Sequence, residues 1–310
     1  MSIRNGLKWS VSALVALTLA ACSSAPAASS TQTSSTAVSE PVKVLAPTGA
    51  PALATLGLGD LAEVDYVDGQ DLLVSELSKT DSEYDLIVAP INLGVKTWKE
   101  SQSYQLDSVL TWGNLYIASQ DENWNEAGKT IAVFGEKAVP GMVFNSLYPD
   151  VQATVEYYPS VVEASAALLS QKADSALLAQ PAAAGALAKG KESGMELSLV
   201  SDLQALWSES HESEHKGYPQ AALFVKKDQA DQYEAALDAM RTYLDSATPE
   251  TIEADVEAKV DQLGVPNAKI ASATWEQQNL HMVKASEVET EIADFLSLFG
   301  IEIPEGIIVE

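Results

Sequence analysis

Two consecutive parts of the chain share one pattern of short apolar strands that alternate with helices. The predicted strands are Val42–Pro47, Ala62–Val67 and 85–89 in the first part, and Thr130–Phe134, Thr154–Tyr158 and Ser175–Ala179 in the second. Lys43 corresponds to Ile131, 88 residues later, and Val64 corresponds to Val155, 91 residues later. A repeat of this length predicts two similar lobes.

The strands themselves favour the α/β class. A strand that is apolar on both faces is typical of a parallel-rich sheet flanked by helices. In open sheets of this kind the ligand lies beyond the carboxyl ends of the strands, where the loops at Thr48, Pro90, Gly135 and Gln180 are expected. Two lobes that face each other across these loops would enclose a cleft.

An alternative is that any α/β protein alternates strands and helices, so that similar spacing arises without two lobes. The third strand of each copy, however, begins at an aspartate, Asp85 or Asp174. A proline, Pro90 or Pro181, also lies at or just after the end of each of these strands. These shared details favour the two-lobed interpretation.

The part of the chain after the second copy is predicted to return to the first lobe. An apolar strand at 217–225 is followed by helices with apolar stripes, and Ser286 with Glu289 has the spacing of a capping box. We expect these C-terminal helices to pack on lobe 1, which makes that lobe discontinuous. The predicted bounds are 41–120 and 217–310 for lobe 1, 121–216 for lobe 2, and hinges near 119–129 and 209–217.

The amino-terminal region has the layout of a lipoprotein signal peptide, predicted at 1–21. Arg4 and Lys8 precede an apolar run at 9–19. A Leu-Ala-Ala-Cys sequence then ends at Cys22, the only cysteine in the chain. A retained transmembrane helix is the alternative, but the apolar run is shorter than the roughly 20 residues that a bilayer requires. We therefore expect lipidation of Cys22, a disordered tether over 22–40, and a protein that is exported and anchored to the outer face of the cell membrane.

Charge narrows the possible partners. The net charge of -26 disfavours binding to nucleic acid. Beyond the predicted signal peptide, Arg241 is the only arginine, so there is no obvious bidentate fork for a carboxylate.

Polar and aromatic residues of the predicted loops are the candidates for ligand contacts. Trp112 offers a flat ring, which suits a planar heterocycle or an apolar organic ligand. Asn92 and Gln180 follow corresponding strands of the two copies, so they are the expected pair of contacts from the two lobes. The full set is Thr48, Gly49, Ala50, Asn92, Thr111, Trp112, Asn114, Gly135, Val139, Tyr158, Ser160, Gln180, Tyr218 and Gln220.

Structural roles remain open for several of these residues. Thr48, Gly49 and Ala50 could bind a polar or anionic group at a helix amino terminus, but they are equally compatible with an ordinary tight turn. Asn92 is also a suitable helix cap, and Trp112 is also a suitable core residue.

Metal binding and catalysis are less favoured by the sequence. His211 and His215 have the four-residue spacing of a helical metal site, but 208–217 has no apolar stripe and is predicted to be a solvated loop. No nucleophile elbow or phosphate-binding glycine loop is present. We therefore expect no enzyme, no cofactor and no resident metal.

Several stretches resemble the periplasmic binding protein type 2 superfamily, specifically the substrate-binding lipoproteins of ABC importers, in a branch related to nitrate, sulfonate and thiamine-precursor binders. The resemblance covers residues 41–300, and the stretches that carry it are 42–50, 84–92, 110–115, 132–143, 174–183 and 217–227. No single motif among them is diagnostic.

The resemblance implies a two-lobed Venus-flytrap receptor that captures a small solute and delivers it to a membrane permease. The solute would be a planar heterocycle or a sulfonate-like molecule, and the receptor would be a monomer. A ligand sensor with the same cleft, an enzyme on the same fold and a structural adhesin without a cleft remain as alternatives.

Overall fold

The computed structural model describes residues 40–211 and 213–310. The predicted signal peptide, Cys22 and nearly all of the tether lie outside the described residues. Within these ranges, no helix combines the length and the apolar character needed to cross a bilayer.

The described residues form eleven strands and thirteen α-helices. The strands are β1 (Val42–Pro47), β2 (Ala62–Val67), β3 (Leu86–Pro90), β4 (Tyr104–Thr111), β5 (Leu115–Ser119), β6 (Thr130–Phe134), β7 (Thr154–Tyr158), β8 (Ser175–Ala179), β9 (Ser198–Asp202), β10 (Ala221–Lys226) and β11 (Leu280–Lys284). The helices are α1 (Ala50–Leu53), α2 (Asp71–Ser78), α3 (Ile91–Ser101), α4 (Val139–Leu147), α5 (Val161–Leu169), α6 (Ala182–Glu192), α7 (Leu203–His211), α8 (Glu234–Ser246), α9 (Pro249–Glu257), α10 (Val260–Leu263), α11 (Ala268–Ala273), α12 (Trp275–Gln278) and α13 (Glu289–Ser297). Short 3₁₀ segments occur at Leu56–Leu61, Ala230–Tyr233 and Ala285–Glu287.

The strands form two sheets with corresponding orders. The first sheet has the order β11-β4-β10-β3-β1-β2, and the second has the order β7-β6-β8-β5-β9. In each sheet a central strand, β1 or β6, pairs in parallel with two neighbours, and the next strand, β10 or β5, is antiparallel. The α/β class and the duplication predicted from the sequence are thereby confirmed.

The two shared aspartates hold equivalent strands together. The Asp85 carboxylate accepts a hydrogen bond from the Lys43 amide at 3.0 Å, and the Asp174 carboxylate accepts one from the Thr130 amide at 2.8 Å. Both carboxylates therefore satisfy the amide of a first-strand residue, which explains why an aspartate recurs at the same point of each copy.

The core has three parts. One apolar cluster runs between the sheets and includes Ile87 and Ile131. A second covers the other face of the first sheet and includes Leu237 of α8 and Ile252 of α9, so the C-terminal helices pack on the first lobe as predicted. A third covers the outer face of the second sheet.

The first crossing between the sheets differs from the prediction. The first part of lobe 1 was predicted to end at residue 120. In the structure β4 ends at Thr111, and β5 already pairs with β8 in the second sheet. The chain therefore crosses at 112–114, because Gly113 adopts a φ of +83° that interrupts the strand.

Two local predictions also differ. Helix α7 continues to His211, although 208–217 was predicted to be a loop. In this last turn the His211 ring stacks on the Trp207 ring, with the ring centroids 3.7 Å apart. Ser286 does not cap α13, because it lies in a 3₁₀ segment and Val288 occupies the cap position.

Candidate functional site

The polar candidates lie along the carboxyl edges of the two sheets. β4 runs parallel to β1 and β3, since both β4 and β3 are antiparallel to β10. Thr48, Asn92 and Thr111 therefore lie at one edge of the first sheet. Gly135 and Gln180 lie at the corresponding edge of the second sheet, and the crossings at 112–114 and 213–220 connect these two edges.

Trp112 is a buried part of the first crossing and not an open platform for a ligand. The residue is 1% exposed, and its indole Nε1 donates to the main-chain oxygen of His281 at 3.2 Å. Its main-chain oxygen accepts from the Asn279 side chain at 2.6 Å and from the Tyr218 amide at 3.1 Å. These contacts favour the core role of Trp112.

Tyr218 is equally enclosed at the second crossing. It is fully buried, and its ring stacks on Phe295 of α13 with the ring centroids 5.5 Å apart. Its hydroxyl donates to Gln204 Oε1 at 3.2 Å. Burial raises its pKa well above the ordinary value for tyrosine. Trp112 and Tyr218 are thus buried core residues, one in each crossing.

A chain of amide side chains links the two sheets at the crossings. Asn114 Nδ2 donates to the main-chain oxygen of Gln180 at 2.8 Å, and Gln220 Nε2 donates to Asn114 Oδ1 at 3.0 Å. Gln180 Nε2 in turn donates to Gln277 Oε1 of α12 at 2.6 Å. Residues of both sheets therefore share one hydrogen-bonded network at the crossing.

Tyr116 completes the contact with α12. Its hydroxyl donates to the main-chain oxygen of Gln277 at 3.0 Å, and the residue is 5% exposed. Burial, with a smaller contribution from the nearby carboxylate of Asp202, raises the pKa of Tyr116 to about 12. The hydroxyl is therefore a neutral donor over the whole physiological range.

Three side-chain oxygens at this edge of the first sheet are buried without a hydrogen-bond partner. They are Asn92 Oδ1, Thr111 Oγ1 and Gln220 Oε1. The main chain holds these residues close together: the Gln220 amide donates to the Thr111 oxygen at 2.9 Å, and the Ile91 amide donates to the Gln220 oxygen at 3.2 Å. Buried oxygens without partners are uncommon and call for an explanation.

Asn92 and Gln180 differ in their contacts. Gln180 is 2% exposed and its side-chain oxygen accepts from the Ala184 amide at 3.2 Å, so its amide group is occupied on both sides. In the strand alignment fixed by Asp85 and Asp174, the residue equivalent to Gln180 is Ile91 and not Asn92. Both polar atoms of the Gln180 side chain therefore have a partner, whereas Asn92 Oδ1 has none.

The loop after β1 is closely engaged with α10. The Gly49 amide donates to the main-chain oxygen of Leu263 at 2.8 Å, and the Thr48 hydroxyl donates to Asp68 Oδ1 at 2.6 Å. A Cβ on Gly264 would lie 2.6 Å from Thr48 Cβ. Ala50 begins α1, a helix of only four residues, and is buried. These contacts favour the tight-turn role for Thr48, Gly49 and Ala50.

The corresponding residues of the second sheet also have internal partners. The Gly135 amide donates to the Tyr158 main-chain oxygen at 2.9 Å, and Val139 is buried in the core between the sheets. The Tyr158 hydroxyl donates to Glu156 at 3.0 Å, and this contact raises the pKa of Tyr158. Ser160 caps α5 by accepting from the Glu163 amide at 3.3 Å.

The two histidines have separate surroundings. His211 stacks on Trp207. His215 stacks on Trp112, with the ring centroids 4.6 Å apart, and its Nδ1 lies 2.8 Å from Glu291 Oε1. Among residues 40–211 and 213–310, no group of three or more histidine, aspartate or glutamate side chains has the geometry to hold a metal ion.

Three amide residues that were not predicted from the sequence also form hydrogen bonds at the crossings. Gln277 of α12 accepts from Gln180 and from Tyr116, both at the second sheet, and Gln204 accepts from the Leu115 amide at 2.7 Å. Asn279 donates to the main-chain oxygens of both Trp112 and Lys216, at 2.6 and 2.8 Å. The available signal was the run of three consecutive amide residues Gln277, Gln278 and Asn279 just before β11.

No family profile and no curated protein sequence matches the chain. Among solved structures, an ABC transporter protein from Parabacteroides distasonis has a TM-score of 0.73 at 20% identity, over 87% of this chain and 99% of that one. This chain has the fold of the ABC-importer solute-binding proteins.

Two further structures have this fold. The periplasmic aliphatic sulphonate binding protein of Escherichia coli has a TM-score of 0.61 at 10% identity, over 88% of this chain and 92% of that one. The ligand-binding component of an ABC-type import system from Staphylococcus aureus, solved with zinc bound, has a TM-score of 0.58 at 12% identity, over 87% and 96%. At such identities the similarity concerns the periplasmic binding protein fold, and it does not assign a solute.

Proposed function

We propose that this chain is the solute-binding component of an ABC importer, held at the outer face of the cell membrane by a lipid on Cys22. It would capture a small organic solute between its two lobes, deliver it to a permease and carry out no chemistry itself. The observation that carries the proposal is the amide network of Asn114, Gln180, Gln220 and Gln277, which spans both sheets at the two crossings.

The network suits a hinge that responds to a ligand. Hydrogen bonds between amide groups are short-range and uncharged, so a small change in lobe orientation breaks or forms them. A ligand that contacts both lobes only in the closed state shifts the population toward closure. The crossings at 112–114 and 213–220 are the segments where this rotation would occur.

Solute capture is tested by thermal denaturation with a broad panel of heterocycles, sulfonates and amino acids, together with small-angle scattering. A ligand at 100 times its Kd stabilises the folded state by about 2.7 kcal/mol. We expect at least one compound to raise the melting temperature and to reduce the radius of gyration. No stabilisation and no compaction with any compound would contradict the proposal.

Anchoring is tested separately, by metabolic labelling with palmitate and membrane fractionation. The wild-type chain is expected to incorporate label and to sediment with membranes, whereas Cys22→Ala is expected to do neither. Retention of the Cys22→Ala chain in the membrane fraction, resistant to salt, would exclude the lipid as the anchor.

A further inference from the structure

A C-terminal segment, 263–279, contacts both sheets and is named the strap below. On the side of the first sheet, the main-chain oxygen of Leu263 accepts from the Gly49 amide at 2.8 Å. Val265 and Ala271 are buried in the apolar cluster that covers one face of this sheet. The strap is therefore part of the core of the first lobe.

The same strap also reaches the second sheet. Gln277 Oε1 accepts from Gln180 Nε2 at 2.6 Å, and the Gln277 main-chain oxygen accepts from the Tyr116 hydroxyl at 3.0 Å. Gln180 follows β8 and Tyr116 lies in β5, so both partners belong to the second sheet. The strap thus connects the two sheets by a route separate from the two crossings.

Pro266 of the strap makes a further contact, with Gly185 in the interior of α6. This helix packs on the outer face of the second sheet through Ala183 and Ala186. A Cβ added to Gly185 would lie 2.8 Å from Pro266 Cγ and 3.1 Å from Pro266 Cβ. Glycine is unfavourable inside a helix relative to alanine, so the close approach of Pro266 gives a reason for glycine at this position.

The position of Pro266 is fixed by its neighbours in the chain. Val265 is 9% exposed and belongs to the core of the first lobe. The Asn267 side chain caps α11 by accepting from the Ile270 amide at 2.8 Å. Because both neighbours are held and the proline ring is locked to the backbone, Pro266 has little freedom to move away from Gly185.

We propose that the strap is a conformational device that holds the two lobes in the arrangement of this structure before any solute binds, with Pro266 on Gly185 as one of its contact points. The inference rests on the proposed function, since it concerns the lobe rotation by which a solute would be captured. Contacts that exist in only one arrangement shift the population toward it, whether a solute or the chain itself supplies them. The contacts of the strap with the second sheet join uncharged groups, so we expect its effect to be independent of salt.

The experiment is small-angle scattering and thermal denaturation of the ligand-free protein. Gly185→Ala adds a Cβ that does not fit while Pro266 keeps its position. We expect it to lower the population of this arrangement at least about fivefold, to raise the radius of gyration and to lower the melting temperature. Ala188→Ser is the matched control, because it also adds one heavy atom to α6 but at an exposed position, and it is expected to leave the radius unchanged.

The same change in a second background separates the strap contact from the needs of α6 itself. Pro266→Gly removes the ring, so Gly185→Ala in the Pro266→Gly protein meets no opposing atom from the strap. Since alanine favours the helix, Gly185→Ala is then expected to raise the melting temperature and to leave the radius of gyration unchanged. The sign of the effect on melting temperature would thus reverse between the two backgrounds.

Two results would overturn the inference. A wild-type radius with a raised melting temperature in Gly185→Ala alone would mean that Pro266 yields without moving the lobes. Equal losses in both backgrounds, including failure to fold in both, would mean that α6 requires glycine for its own packing.

These measurements need no solute, so their failure leaves solute capture to be decided by the broad panel. Conversely, expansion of Gly185→Ala that is reversed in the Pro266→Gly background would support the strap even if no compound of the panel binds. In that case solute capture would fail, and the strap would remain as a joint between two lobes.

Discussion

Gly217 shows how closely the two crossings approach each other. Its φ is +102°, and a Cβ at this position would lie 1.8 Å from the main-chain oxygen of Trp112. The main-chain bond from the Tyr218 amide to the same oxygen requires this approach. Only glycine combines that backbone conformation with that contact.

We therefore expect Gly217→Ala to lower the free energy of unfolding by at least about 3 kcal/mol, through a clash added to backbone strain. Gly128→Ala is the control, because Gly128 has a φ of +90° and a Cβ added there would have no atom within 4 Å. Its expected cost is about 1 kcal/mol, from strain alone. Urea denaturation measures both, and equal losses would contradict the packing argument.

Tyr116 gives a prediction for alkaline pH. Its pKa is raised to about 12 in the folded protein, so between pH 10 and 12 the unfolded chain loses this proton first. Its contribution to stability is complete below pH 10 and is lost as the pH rises toward 12. We expect the free energy of unfolding to fall over this interval, and to fall less steeply in Tyr116→Phe. Tyr157→Phe, at a tyrosine that is 38% exposed, is the control and is expected to keep the wild-type slope.

At the scale of elements, Ser160, which the sequence predicted as a ligand contact, forms the amino-terminal cap of α5. Ser160 accepts from the Glu163 amide, and its hydroxyl lies 3.3 Å from the Glu163 carboxylate. A serine in a loop after a strand has the same sequence pattern whether it binds a ligand or begins a helix. The following Glu163, three residues later, is the feature that distinguishes the cap.

We expect Ser160→Ala to lower the free energy of unfolding by about 1 kcal/mol, because α5 loses its amino-terminal cap. Ser160→Thr keeps the cap and is expected to stay within about 0.5 kcal/mol of wild type. Thermal or urea denaturation measures the effect in the absence of any solute. An unchanged stability in Ser160→Ala would show that the cap contributes nothing.

At the scale of the whole molecule, Gln277 of α12 joins the C-terminal helices to the second sheet. It accepts from Gln180 through its side chain and from Tyr116 through its main chain. Only the side-chain bond is lost on substitution, so its effect on the proposed lobe closure can be measured while the main-chain contact with Tyr116 is kept.

We expect Gln277→Leu to disfavour the closed arrangement by about 1 kcal/mol, or about fivefold in population, because Gln180 Nε2 then has no acceptor. The ligand-free chain should have a larger radius of gyration in small-angle scattering. Gln232→Leu, at an exposed glutamine, is the control. An unchanged radius in Gln277→Leu would mean that this hydrogen bond does not bias the hinge.

The local pattern of the chain was sufficient for much of the architecture. Apolar runs predicted β1, β6 and β8 with their observed bounds, since strands buried on both faces exclude polar residues. The bounds of β2 and β7 were also predicted, but these are edge strands with polar, partly exposed residues. The recurring Asp85 and Asp174 predicted the duplication, because each carboxylate has to satisfy an amide of the neighbouring strand.

Tertiary structure decided the crossing and the roles of the site residues. Gly113 is a local signal for the end of β4 at Thr111, but only pairing with β8 places Leu115 in the second sheet. In the same way, Trp112, Gln180 and Asn92 are all suitable ligand contacts in sequence. Which of them keeps a free hydrogen-bonding atom depends on partners 66 to 169 residues away, because hydrogen bonds are satisfied in space and not along the chain.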